Sequence, residues 1–118
     1  MKRFLALSST LMLVCALLAP TSVFATHKKS CITLYEHINF KGKSIKLCGN
    51  DKNLVNDNWN DIASSAKVSK GDGVTLYEHI DYKGAKLKLK GGHNYSDFTK
   101  IRLGNGSWND VVSSLRIR

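Results

Sequence analysis

Thr33-Leu34-Tyr35-Glu36-His37-Ile38 recurs letter for letter as Thr75-Leu76-Tyr77-Glu78-His79-Ile80. A chain that repeats itself this closely is built from two copies of one supersecondary unit, so its fold must give both copies equivalent settings. The correspondence continues downstream. Asn39-Phe40-Lys41-Gly42 answers to Asp81-Tyr82-Lys83-Gly84, and Ile45-Lys46-Leu47 to Leu87-Lys88-Leu89. Trp59-Asn60-Asp61-Ile62-Ala63-Ser64-Ser65 returns as Trp108-Asn109-Asp110-Val111-Val112-Ser113-Ser114. The second copy is longer by seven residues, all of them between its glycine and its tryptophan.

Within each copy the apolar residues alternate. Ile32 and Leu34, Ile45 and Leu47, and Ala66 and Val68 do so in the first; Val74 and Leu76, Leu87 and Leu89, and Leu115 and Ile117 in the second. Period two is the mark of a half-buried strand. The intervening Lys46, Lys67, Lys86, Lys88 and Arg116 are then assigned to the solvated faces of sheets. No window carries a 3.6-residue apolar stripe. The chain is therefore expected to be all-β, with a short helical turn in Lys52 to Asn58 or Ser96 to Lys100. Gly42 and Gly84 stand where each first strand must double back into the second, a bend that favours positive φ. If that hairpin pairs Leu34 with Ile45, Cys31 falls opposite Cys48. Lys70-Gly71-Asp72-Gly73 reads as a turn between the copies, too short to separate independent domains. Two four-stranded units, neither stable alone, are expected to pack as an aligned sandwich.

Residues 1–25 read as a secretory leader. Lys2 and Arg3 form its charged start, Leu11 to Ala19 its apolar core, and Val23-Phe24-Ala25 a small-x-small cleavage site. A membrane span is disfavoured, since Ser8, Ser9 and Thr10 interrupt the run and Pro20 ends it. A lipoprotein signal through Cys15 is disfavoured by bulky Val14 before it. Cleavage would leave about 93 residues, 26–118, enough for one domain. Removing Lys2 and Arg3 from the 18 basic residues leaves 16 against 9 acidic ones, a net charge of +7 in the exported chain. Cys15 would leave with the leader, so Cys31 and Cys48 would remain as an even pair in an oxidising compartment, secreted or periplasmic, where a disulfide is expected.

The two hexapeptides Asn60 to Ser65 and Asn109 to Ser114 set an amide and a carboxylate three residues before a pair of hydroxyls. Such hard oxygens suit a cation such as Ca²⁺ better than acid–base chemistry. Either hexapeptide alone would also serve as an ordinary hydrogen-bonded turn. Trp59 and Trp108 are assigned to the core, and Tyr35, Phe40, Tyr77 and Tyr82 to core aromatics that fold the hairpins. His37 and His79 are expected as exposed turn residues. Asn94-Tyr95-Ser96 and Asn105-Gly106-Ser107 are glycosylation sequons that matter only in a glycosylating host.

Tyr35 to Gly42 and Tyr77 to Gly84 resemble the aromatic-x6-Gly signature of βγ-crystallin Greek key motifs. The Asn-Asp-x-x-Ser-Ser hexapeptides are similar to the calcium-binding signature of the microbial members. The resemblance covers the mature chain and implies one βγ-crystallin domain, with motif one at about 31–70 and motif two at about 73–118. It further implies two calcium sites at one end of the sandwich, each shared between the loops. By position, Asp61 and Ser64 would give side-chain oxygens to one site and Asp110 and Ser113 to the other. Asn60 and Asn109 would contribute backbone carbonyls, and Glu36 and Glu78 would reach in from the hairpins, with the pairing of glutamate and loop left open. One aspartate per loop means little negative charge and an affinity on the order of 10⁻⁶ to 10⁻³ M.

These residues favour a secreted, non-enzymatic calcium-binding module. The alternative is an interaction protein of the same fold, a protease inhibitor or an antimicrobial or killer toxin, with the segment Gly91 to Gly106 as the place to look. An enzyme is not expected: with the disulfide formed there is no cysteine nucleophile, and no His-Ser-Asp set stands apart from the repeat. Nucleic acid is not an expected partner either, because the basic residues alternate with core residues along strands. Beyond calcium ions a protein partner is left open, the mature form carries no membrane span, and a monomer is expected.

Overall fold

The structure is a computed structural model and describes residues 28–118; the expected leader, 1–25, lies outside the described residues. Among the described residues nine strands carry the fold: β1 (Ile32–His37), β2 (Lys41–Leu47), β3 (Ser65–Val68), β4 (Val74–His79), β5 (Lys83–Leu89), β6 (Asn94–Tyr95), β7 (Arg102–Leu103), β8 (Gly106–Ser107) and β9 (Ser114–Ile117). The expected all-β class is what the structure shows. Both segments named for a short helical turn contain one, at Leu54–Asp57 and Phe98–Lys100.

Each copy builds its own hairpin in the same register. Leu34 pairs with Ile45 and Leu76 with Leu87, so alternate residues reach the core and the lysines between them face water. In the first hairpin this register sets Cys31 opposite Cys48, and the two form a disulfide with their Cα atoms 4.2 Å apart. The reversal expected at the glycine falls instead on Ile80–Tyr82, where Asp81 and Tyr82 hold positive φ. Just past it, near the start of β5, Gly84 adopts φ +79°, and a Cβ there would lie 2.5 Å from His79 Cδ2 and 3.0 Å from Glu78 Cβ. Gly84→Ala is therefore expected to cost at least about 1–2 kcal/mol, the penalty of left-handed backbone for a residue with a Cβ. A urea titration with a lowered midpoint and an unchanged slope would register it.

The expected division into two units, one per copy, is corrected by the strand order. One sheet runs β2-β1-β3-β6, so its last strand comes from the second copy. The other runs β5-β4-β9 and is extended by a bridge between Leu115 and Asp51 of the first copy. Each copy thus lends its third strand segment to its twin. The hairpin tips follow the same exchange: the Asn39 amide donates to the Ser96 carbonyl at 2.7 Å and the Asp81 amide to the Lys52 carbonyl at 2.8 Å. One apolar core results, fed by both copies, with Ile32, Leu34, Leu54, Leu76, Leu89, Phe98, Val112 and Leu115 fully buried.

Trp59 and Trp108 are buried in that core, as expected. The tyrosines are not. Tyr35 meets Phe40 edge to face at 5.6 Å, and Tyr77 meets Tyr82 at the same distance, on the outer faces of the sheets. They point away from the core because Leu34 and Leu76, their immediate neighbours on the strands, point into it. Cations roof the two pairs: Lys67 Nζ sits 4.7 Å from the Phe40 ring centre and the Arg116 guanidinium 4.1 Å from that of Tyr82. The places expected of large aromatics in the core are shared by Leu54 and Phe98, which open the two short helical turns. Asn53 and Asp97 cap those turns, accepting from the Val55 and Thr99 amides.

The seven extra residues of the second copy divide around Phe98. Two precede it and five follow it, where β7 and β8 form a small ribbon before Trp108.

Candidate metal centre

The two hexapeptide loops lie side by side at one end of the sandwich and are stitched together reciprocally. The Asp61 amide donates to the Val112 carbonyl and the Asp110 amide to the Ala63 carbonyl, each at 3.0 Å. Both aspartates hold φ +57°, a conformation that Asp tolerates better than most residues. The loops are also tied to the hairpins, with the Ser64 amide donating to the Tyr35 carbonyl and the Ser113 amide to the Tyr77 carbonyl. The last serine of each loop is a buried clasp. Ser65 Oγ donates to the His37 carbonyl at 2.6 Å and accepts from the Phe40 amide at 3.0 Å; Ser114 does the same with His79 and Tyr82. The first residues of the two hairpin turns are thereby held down over the sheets.

The hydrogen bonds run across the grouping expected from position. Asp61 does not pair with Ser64, nor Asp110 with Ser113. The Ser64 hydroxyl donates to Asp110 Oδ1 and the Ser113 hydroxyl to Asp61 Oδ1, each at 3.2 Å. The crossing follows from the stitching, which carries each aspartate across to the other loop's serine. The clefts set each glutamate beside one of the two serines. One cleft, of about 510 Å³, brings Glu36 together with Ser64, Asn109 and Asp110; the other, of about 280 Å³, brings Glu78 together with Ser113 and Asp61. Asp61 and Asp110 border both clefts.

Each glutamate reaches back over its own hairpin. Glu36 Oε1 accepts from the Lys43 amide at 3.4 Å and Glu78 Oε1 from the Ala85 amide at 3.1 Å. His37 and His79 are exposed, as expected, yet they also wall the clefts, with Nε2 3.5 and 3.7 Å from the adjacent glutamates. Their place in the Tyr-Glu-His tripeptide was the available signal. Thr99 is a further wall residue of the larger cleft, and no feature of the sequence singles it out. Its side-chain hydroxyl and backbone amide hydrogen-bond Asp97 and hold that carboxyl below its ordinary range.

The donor set consists of carboxylates, hydroxyls and amides. Among the described residues no group of three or more His, Cys, Asp or Glu side chains forms a metal-binding cluster, so a site rich in nitrogen, sulfur or negative charge is not what these loops offer. Two buried oxygens stand out: Asn60 Oδ1 and Asn109 Oδ1, at equivalent positions, have no hydrogen-bond partner. Buried polar atoms are rarely left in that state, and the same orphan in both copies marks a property of the loop. Their side chains, in addition to the backbone carbonyls expected to serve, thus have unused lone pairs.

A two-copy Greek key sandwich with twinned oxygen-lined loops defines a class of small β domain. The sequence pattern of the beta/gamma crystallin family matches residues 31–117, and the chain belongs to that family. A βγ-crystallin from an archaeon is 32% identical over 75% of this chain and 98% of its own, with a TM-score of 0.62. A βγ-crystallin domain from Flavobacterium johnsoniae is 31% identical over 74% of this chain and 92% of its own, with a TM-score of 0.61. A clostrillin double mutant in complex with nickel is 26% identical over 74% and 95%, with a TM-score of 0.57. No curated protein matches the chain.

Proposed function

We propose that the protein is a secreted, non-enzymatic calcium-binding module whose folded state is stabilised by two Ca²⁺ ions. The observation that carries this reading is the twinned crossing of loops, in which a carboxylate of one copy meets a hydroxyl of the other beside a hairpin glutamate. In the first site Glu36, Ser64, Asn109 and Asp110 would hold the ion; in the second Glu78, Ser113, Asn60 and Asp61. The residues fit the ion in kind, because Ca²⁺ takes about six to eight oxygens at flexible geometry and fills the remainder with water. The orphaned amide oxygens of Asn60 and Asn109 fit as well. Bound calcium supplies positive charge between loops that otherwise set acidic groups side by side. Secretion rests on the leader pattern in 1–25 and is supported by the Cys31–Cys48 disulfide, which suits an oxidising compartment.

Calorimetric titration of the mature protein with calcium tests the proposal. Two binding events per chain are expected, with dissociation constants on the order of 10⁻⁶ to 10⁻³ M. Absence of binding heat together with a calcium-independent melting curve would sink it.

A further inference from the structure

The two copies share a register, so each outward position on one sheet has a counterpart on the other, and the counterparts differ in charge. On the second sheet, Lys86 stands opposite Tyr77, and Lys88 and Arg116 flank Thr75 from either side. The same register extended by one residue sets Lys90 and Arg118 about Gly73, where the Arg118 amide donates to the Gly73 carbonyl at 2.9 Å. Five cations therefore occupy one outer face. The matching positions on the first sheet are Ser44, Lys46, Lys67, Cys48 and Ser69, which bring only two. All five are exposed, and among the described residues none has a carboxylate within ion-pairing distance. Of the nine acidic residues, Glu36, Glu78, Asp61 and Asp110 are gathered around the clefts at the end of the sandwich, while Asp72, beside Gly73 in the chain, and Asp51, bridged to Leu115, lie nearer the basic face.

Edge protection explains part of this pattern, since β5 is an edge strand and lysines deter strand addition. The same account reaches Arg116 of β9, the sheet's other edge strand, beyond which only the bridge of Leu115 to Asp51 pairs. It does not explain why β2, an edge strand of the same length in the other sheet, carries Ser44, with Cys48 just past its end, at the matching places.

We infer that the outer face of the β5-β4-β9 sheet binds a linear anionic polysaccharide. Lys86, Lys88 and Lys90 repeat about every 6–7 Å along β5, and the arginines run parallel to them about 9–10 Å away, as strand geometry dictates. Two parallel rows of cations suit a chain of repeated negative charges rather than one ion. The large apolar residues exposed among the described residues, Ile38, Val55 and Ile80, lie off the strands of this sheet, so its face lacks the apolar side chains that insertion into a lipid surface would require. Tyr77 and Tyr82 face each other edge to face, with Arg116 over Tyr82, so no open ring offers a base a stacking platform. Sugar carboxylates or sulfates on an extended glycan match what remains. The surface is separate from the calcium clefts and its binding does not depend on them.

The test compares the mature protein with two triple variants of equal charge loss, each confirmed as folded by circular dichroism. Lys86→Ala with Lys88→Ala and Lys90→Ala strips the proposed face; Lys43→Ala with Lys46→Ala and Lys67→Ala strips the first hairpin and sheet. The probes are heparin as a sulfated glycan, polygalacturonate as a carboxylate-only glycan, a DNA oligonucleotide and phosphatidylglycerol vesicles. The expected result is binding to one or both glycans that weakens at least about tenfold in the first variant and less than about twofold in the second. Which glycan binds identifies the anion. Equal losses in both variants would show attraction by net charge alone and overturn the inference. So would absence of glycan binding, or tighter binding to DNA or vesicles.

Discussion

Calcium at about 100 times its dissociation constant is expected to raise the melting temperature by roughly 20–40 °C, because two sites contribute about 5 kcal/mol together and a domain of this size gains about 4–8 °C per kcal/mol. The crossing of the loops sharpens the expectation for variants. Asp61→Ala removes the carboxylate beside Ser113 and should disable the cleft of Glu78, and Asp110→Ala the cleft of Glu36. Each single variant should keep about half of the shift in free energy, and the double variant none. Both aspartates sit at φ +57°, where alanine is strained, so each curve is compared with the same variant in chelator and the backbone cost cancels. A calcium shift that survives the double substitution would place the ions elsewhere, and one that never appears would remove the proposed function.

Division of the chain between Lys70 and Gly71 is expected to leave neither half folded. Residues 26–70 would keep the disulfide-closed hairpin but lose β6 from the first sheet and the Phe98 amide that donates to the Ser64 carbonyl at 2.8 Å. The other half would lose the pairing of Asp51 with Leu115 and the Leu54 amide on the Ser113 carbonyl. Each would also expose its share of a single core, and chains near 40–50 residues rarely bury enough apolar surface to fold unaided. Circular dichroism of either half should read as coil, and mixing the two should restore the β spectrum together with calcium binding. A half that melts cooperatively alone would overturn the exchange of strands as the source of stability.

Much of this architecture was legible in the letters. Alternation of Ile32 with Leu34 and of Leu87 with Leu89 marks strands because a pleat sends successive side chains to opposite faces, and the burial of each follows. The pairing of Leu34 with Ile45, and with it the disulfide, follows from a tight reversal just ahead of a glycine at positive φ, although the turn itself falls on Asn39 and Phe40. Leu54 and Phe98 were missed because an isolated apolar residue in a loop has no periodicity, and their equivalence is hidden by unequal spacing to the tryptophans. Tyr35 and Tyr77 were misplaced because size argued for the core, whereas strand parity, with Leu34 and Leu76 inside, argued against it.

The sequence by itself determined the six longer strands, the hairpin register, the disulfide and the oxygen-bearing loops, since all of these depend on local periodicity and short-range turn geometry, whereas the two-residue strands β6, β7 and β8 carry no periodicity to read. Only the tertiary structure decided that third strands are exchanged between the copies and that Ser64 meets Asp110 while Ser113 meets Asp61. The reason is degeneracy. Two nearly identical copies offer each strand and each aspartate the same partner twice, once within the copy and once across, and no local pattern distinguishes the two. Closing a single core over both sheets does, because it brings the loops of different copies against each other at the end where the candidate ion sites lie.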